Sequence, residues 1–269
     1  MTGMLRVIMN ASGILEFGVC RFDAVAEKFY DCLARGRLPK QPKSVLTAAF
    51  PYYTGCGQED TCAALTDFYE IAGHMLAVAS DVLHKAFGDD YEFVWFTDSS
   101  PVPEVYSASV SGLGKIGDNG LLIHPRYGNY VFLGSIVTNL DLPATGDKPD
   151  FCDHCGSCRA ACPGNAFEKK EEDEKEAFSH EGCAGHGAQN AAQVCVPRHG
   201  GLMWGCNACQ QACPHNKGAE ETPIASFLDR MRPDRPANDL TSANPLAYLS
   251  RSLNPIEHKL ASEELEVSS

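Results

Sequence analysis

A chain of 269 residues, 44% of them hydrophobic, has material for one large domain or two small ones. Its formal charge of -13, from 35 acidic against 22 basic residues, makes a surface that repels polyanions, and no dense Lys/Arg cluster offsets it. Thirteen cysteines in a chain without an export signal at its start, and with no uncharged run of membrane-spanning length, point to metal binding in the reducing cytoplasm rather than to disulfides or a membrane.

Phe22 to Arg35 places apolar residues at Phe22, Val25, Ala26, Phe29, Tyr30 and Leu33, which is helical spacing, and Gly36 is a stop. Ser44 to Tyr53 reads as a buried strand, because Val45-Leu46-Thr47-Ala48-Ala49-Phe50 is continuous rather than alternating. A long helix follows from Cys62 to Phe87, capped by Thr61, and then a second strand from Tyr91 to Thr97. Val102 to Val110 predicts a short helix and Gly112 to Gly117 a glycine-rich turn; Gly120 to His124 and Asn129 to Asn139 predict strands.

Strands alternate with helices through residue 139, so the expected fold is an α/β (α+β) layered domain over residues 1–147. A polar linker, Pro143 to Asp150, leads into a bacterial ferredoxin-like two-cluster domain over 148–217, and 218–269 forms a C-terminal tail. The charge run Glu168 to Glu176 reads as a solvated face.

The cysteines carry the chemistry. Cys152, Cys155, Cys158 and Cys162, the last followed by Pro163, have the C-x2-C-x2-C-x3-C-P spacing of bacterial ferredoxins; Cys206, Cys209 and Cys213, followed by Pro214, repeat most of it. In such runs the cysteine before proline serves the distant 4Fe-4S cube. Cys213 would then complete Cys152, Cys155 and Cys158, and Cys162 would join Cys206, Cys209 and one more thiolate from the segment between the runs. Cys183 is the better candidate for that eighth place and Cys195 its rival. A zinc site needs only four ligands and leaves the rhythm of the two runs unexplained.

Other residues carry weaker signals. Asp98, at a strand end before Ser99-Ser100-Pro101, is a natural cap or Asx-turn residue. The Gly112 to Asn119 stretch departs from G-x-G-x-x-G, so a dinucleotide site is not expected; the simpler account is a turn of small residues that permits close backbone approach. Cys20, Cys32, Cys56 and Cys62 lack ligand spacing and read as buried free thiols.

Three segments before the cysteine runs go further: Asp98-Ser-Ser-Pro-Val-Pro-Glu104, Gly112-Leu-Gly-Lys-Ile-Gly-Asp-Asn119 and Phe132-Leu-Gly-Ser-Ile-Val-Thr138. In order and placement they resemble the D-[ST]-x-P-x-x-E, G-L-G-W-I-G-K-N and F-L-G-E-I-L-T segments of the epoxyqueuosine reductase family, over roughly residues 44 to 216. Reductive dehalogenases share this arrangement more distantly.

The resemblance implies a cobalamin-dependent reductase whose layered domain holds the corrinoid against two 4Fe-4S clusters. The substrate would be epoxyqueuosine in the wobble position of tRNA, with electrons from an external donor of flavodoxin or ferredoxin type. It makes Asp98 the proton donor, a role suited to a carboxyl whose pKa an apolar corrin face would raise. Asp98, Ser99, Lys115, Asn119, Leu133 and Asn207 would contact the corrinoid, Lys115 standing where the family keeps an aromatic residue. No histidine is expected on cobalt. The usual member continues into helical repeats that engage tRNA, whereas this chain ends soon after Asn216, so a smaller substrate is the alternative. A ferredoxin-like electron carrier and a reductase of another corrinoid protein are the competing classes.

Overall fold

The apolar run at Val45 becomes the inner part of a sheet. In a computed structural model, which describes residues 2–55, 68–97, 100–167, 182–183 and 206–228, strand β2 (Ser44–Pro51) is buried along its whole length. It pairs antiparallel with β1 (Glu16–Arg21) on one side and with β6 (Val131–Thr138) on the other, and β6 pairs antiparallel with β3 (Phe93–Thr97). The sheet order is β1-β2-β6-β3. Burial on both faces explains why β2 shows no polar alternation.

Side chains alternate across the sheet to build two layers. Leu46, Ala48, Phe50 and Ile136 meet helices α1 (Thr2–Ala11) and α2 (Phe68–Phe87), whose Leu5, Ile8, Met9, Ala72, Leu76, Ala79 and Leu83 are buried. Val45, Ala49, Leu133 and Val137 face the opposite side, where Ala108 and Val110 of α3 (Glu104–Val110) pack. Gly134 of β6 allows α2 to sit close, because a Cβ there would stand 2.6 Å from Leu76 Cδ1. The expected helix–sheet layering is therefore present, with antiparallel strand senses.

The Phe22 to Arg35 helix does not form. Only 3-10 turns at Ala26–Lys28 and Leu33–Arg37 occur, separated by extended backbone at Phe29 and Cys32. Val25 and Phe29 point inward onto Cys20, Val45 and Phe96, while the Tyr30 N–H donates to Pro101 O at 2.9 Å. Leu33, an apolar position of the expected helix, is 99% exposed, so tertiary contacts rather than helical spacing decide this segment. Cys20 is buried as expected; Cys32 is exposed, which corrects its reading as a buried thiol. Cys56, Cys62 and Thr61 lie outside the described residues.

The linker is stitched to the sheet. Thr145 Oγ1 accepts from Val19 N–H at 2.8 Å and donates to Ser111 O at 2.6 Å. Three short strands follow: β4 (Lys115–Ile116) pairs antiparallel with β5 (Leu122–Ile123) and parallel with β7 (Asp150–Phe151). Cys152 N–H then donates to Ile116 O at 3.0 Å, which delivers the first cysteine beside the glycine-rich turn. Beyond the second run, Thr222, Ile224 and Phe227 are buried against the layered part, so residues 218–228 pack rather than fray. Among the described residues no helix is long and apolar enough to cross a membrane.

Candidate metal centre

Two four-residue helices carry the thiols: α4 (Ser157–Ala160) in the first run and α5 (Ala208–Gln211) in the second. Around the first, the chain turns sharply through left-handed backbone at His154 (φ +53°) and Gly156 (φ +76°). The conformation is uncommon for a non-glycine residue. His154 is held in it by Asp118, whose carboxylate lies 2.6 Å from Nδ1 and 3.8 Å from Arg159 Nε. Asp118 comes from the glycine-rich turn, so the layered part shapes the loop that presents the first thiols. No spacing in the sequence signals this pairing.

Cys152, Cys155, Cys158 and Cys213 line one open cavity, together with Asp118 and Asn119. Cys213 thus meets the triplet of the opposite run, 55 or more residues away in the chain. Burial pushes its thiol up, and ionised Cys155 and Cys152 nearby add to the shift. Cys209 is pushed up to about 11 by burial first, with Cys206, Cys183 and Cys158 as charged neighbours. Cys183 is therefore beside the second triplet; Cys195 lies outside the described residues. Cys162 accepts a hydrogen bond from Ala166 N–H at 3.3 Å. Cys155 is eased downward by its hydrogen bond to Ser157 Oγ at 3.4 Å.

Burial, with neighbouring thiolates second to it, opposes ionisation of Cys158, Cys209 and Cys213. Coordination reverses that balance, because a bound metal deprotonates its thiol ligands and offsets their charge. The donor set suits iron–sulfur cubes, which take four thiolates each.

The remaining sequence candidates fall at the seam between layers and thiols. Lys115 Nζ lies 3.6 Å from Asp153 and 4.0 Å from Asp150. Asn119 and Asn207 are each partly or fully buried, and their side-chain Nδ2 atoms have no hydrogen-bond partner. Leu133 packs with Ala49, Ala108, Leu113 and Leu122. Asp98 and Ser99 lie outside the described residues; Thr97 on one flank ends β3, and Ser100 on the other accepts from Val102 N–H at 3.0 Å.

A Cβ at Gly114 would collide with the Ile123 carbonyl, so the close approach is to the chain's own β4–β5 hairpin. Residues that sequence reasoning missed are those docking the second run: Gln210, Asn216, Tyr52 and Asn129. Asn216 accepts from Asn129 N–H at 2.8 Å and donates to Gln210 O at 2.7 Å.

A helix-flanked sheet joined to such a thiol module defines an iron–sulfur oxidoreductase. Residues 151–216 match the 4Fe-4S double cluster binding domain. The chain belongs to the epoxyqueuosine reductase family: it is 30% identical over 270 residues to the epoxyqueuosine reductase of Gloeobacter violaceus, covering 90% of this chain and 84% of that one. The Synechocystis epoxyqueuosine reductase is 35% identical over 148 residues, 51% of this chain and 48% of that protein. Against that relative the chain spans about half the length. Among solved structures, an epoxyqueuosine reductase with an epoxyqueuosine-modified tRNA-Tyr stem loop superposes with a TM-score of 0.67 at 19% identity, over 87% of this chain and 68% of that one.

Proposed function

We propose that this chain reduces the epoxide of epoxyqueuosine in tRNA to the alkene, with electrons passing through two 4Fe-4S cubes to a corrinoid. The observation that carries the reading is the meeting of Cys213 with Cys152, Cys155 and Cys158 around one cavity, in a chain of this family. In this reading Cys162, Cys183, Cys206 and Cys209 hold the second cube. Residues 1–147 hold the corrinoid, 148–217 the cubes, and 218–269 follow as a tail. The protein works in the cytoplasm and draws electrons from a small external donor of flavodoxin or ferredoxin type.

The residues present suit a corrinoid. The Lys115 side chain, 40% exposed at the seam, and half-buried Asn207 beside Cys206 leave polar groups within reach of the amides and phosphate of a large polar ligand. Asp98, Ser99, Lys115, Asn119, Leu133 and Asn207 are the residues that would hold it. A corrinoid supplies low-valent cobalt, the reductant that the polypeptide lacks.

Opening the epoxide and expelling its oxygen consumes two electrons and two protons and releases one water. Asp98 supplies a proton to the departing oxygen. An apolar setting favours the protonated carboxyl and so suits it to donation near neutral pH. The formal charge of -13 favours a second substrate reading, the free nucleoside, because a polyanion would approach this chain against its field.

The test is anaerobic reconstitution with iron counting, then cobalamin titration followed by the Co(II) signal, then turnover on epoxyqueuosine-containing tRNA and on the free nucleoside. About eight irons per chain, retained cobalamin and alkene product on tRNA are expected. Product from the nucleoside alone would replace the tRNA substrate, and failure to bind cobalamin would leave an electron carrier.

A further inference from the structure

The segment between β1 and β2 is the basic part of an acidic chain. Residues 28–43 hold Lys28, Arg35, Arg37, Lys40 and Lys43 against the single acid Asp31, in a protein with 35 acidic and 22 basic residues. Apolar and small residues separate the five, so they form no run in the sequence. Lys28, Arg35, Lys40 and Lys43 are exposed, and among the described residues none of them is ion-paired with a carboxylate, whereas Arg21, Lys115, Arg126 and Arg159 all are.

The fold lays this segment along β3, the edge strand of the sheet. Lys28 Nζ stands 4.8 Å from the centre of the Tyr106 ring on α3, and Tyr30 N–H donates to Pro101 O at 2.9 Å. Arg37 donates to Trp95 O at 3.1 Å and lies over the Phe96 ring, while Lys40 N–H donates to the Glu92 carboxylate at 3.3 Å. From Lys40 back to Tyr30 these partners run Glu92, Trp95, Pro101, which is the direction of β3 toward the loop that contains Asp98. Tyr30 is 61% exposed beside that loop, and Leu33 is exposed as well. The cations and an uncovered aromatic ring therefore share one border of the layered part.

We propose that residues 28–43 are an RNA-docking surface: Lys28, Arg35, Lys40 and Lys43 neutralise backbone phosphates next to the modified nucleoside, and Tyr30 stacks on an unpaired base. Phosphate contacts supply most of the sequence-independent affinity for nucleic acid, and aromatic rings beside cations are what unpaired loop bases stack on. An acidic electron-donor protein would be drawn to the same charge, but its target is the thiols, and no residue of 28–43 lines the thiol cavity. The segment touches β3, α3 and the Pro101 end of the Asp98 loop instead, which is the substrate side. The proposal rests on the tRNA reading of the substrate and gives an acidic chain a local place to meet a polyanion.

The experiment is fluorescence anisotropy of a labelled synthetic anticodon stem-loop RNA, titrated with the reconstituted full chain over a range of salt. One variant carries Arg35→Gln, Lys40→Gln and Lys43→Gln together; a control of equal net charge carries Lys85→Gln, Lys148→Gln and Lys217→Gln, exposed lysines elsewhere. The first triple variant should bind roughly tenfold more weakly at ~0.1 M salt, with the slope of log affinity against log salt reduced by about two. The control should keep the wild-type slope. Tyr30→Ala should weaken binding roughly fivefold or more with the slope unaltered, because stacking releases no counterions.

Wild-type affinity and slope in the first triple variant, or an equal loss in both triples, would overturn the proposal while leaving the tRNA reading intact. A wild type that shows no salt-dependent binding of the stem loop would instead sink that reading and the proposal with it. Should the triple variant fail to fold, lysine acetylation of the wild type decides. RNA should protect Lys28, Lys40 and Lys43 and leave Lys85 and Lys148 reactive. Equal labelling with and without RNA, or protection by a flavodoxin-type donor in place of RNA, would overturn the assignment.

Discussion

The Gln210 side-chain amide donates to the Tyr52 hydroxyl at 2.7 Å, joining the second cysteine helix to the end of β2 across 158 positions of sequence. The same nitrogen donates to Asn129 O at 2.8 Å. Gln210 is buried, so both bonds are made away from water and the module is oriented by them.

Gln210→Leu should weaken that docking. It removes the donor shared by a buried hydroxyl and a carbonyl, and the loss of folding stability should be about 1–3 kcal/mol. Denaturant unfolding of the metal-loaded protein, with iron retention followed in parallel, measures both effects. Unaltered stability would mean that Asn216 and the cubes alone hold the second run in place.

Cys213→Ala separates crossed wiring from local wiring. The residue lies in the second run but faces the first triplet, so the variant should lose the spectrum of the first cube and keep that of the second. Cys162→Ala should do the reverse. Loss of the second cube in Cys213→Ala would replace the crossed assignment with two self-contained sites.

Asp98→Asn should retain both cubes and cobalamin but lower turnover by ~10²–10⁴, the usual contribution of a positioned acid. Steady-state rates set beside cobalamin affinity make the distinction. A variant that loses affinity in proportion to rate would make Asp98 a contact to the cofactor instead of a proton donor.

His124 gives the protein an acid-side dependence. It is 3% exposed and lies 3.6 Å from Glu16, whose neighbours Arg126 and Glu220 complete the charged group. Burial, the largest influence, holds the imidazole below its usual pKa; Glu16 and Glu220 oppose the shift and Arg126 adds to it. The unfolded chain therefore takes up a proton first as pH falls. This contribution is present above the ordinary histidine value of about 6.5 and is lost as pH drops through the folded value. Comparing denaturant midpoints of wild type and His124→Gln at pH 7.5 and 5.5, chosen as roughly one unit either side of that value, should show a smaller acid loss in the variant.

Much of the fold was legible because it rests on local rules. The buried run at Val45, the amphipathic stretch ending at Phe87 and the short helix at Glu104–Val110 all carry their periodicity in neighbouring residues. The segment after Phe22 has the same apparent helical spacing and does not use it. Inward packing of Phe29 and the bond from Tyr30 to Pro101 outweigh a preference worth only tenths of a kcal/mol per residue. Helix α1 and strand β1 have apolar patterns too short to stand out.

By itself the sequence determined the thiol inventory, the rhythm that pairs cysteine with proline, and the family, since each is a matter of which residues stand at which spacing. Only the tertiary structure decided that Asp118 grips His154, that Gln210 reaches Tyr52 and that the Asn119 amide is buried beside the thiol cavity. Spacing records what a few consecutive residues can do together. These contacts join groups tens of residues apart, and they exist because the sheet, the glycine turn and the thiol module are packed at one seam.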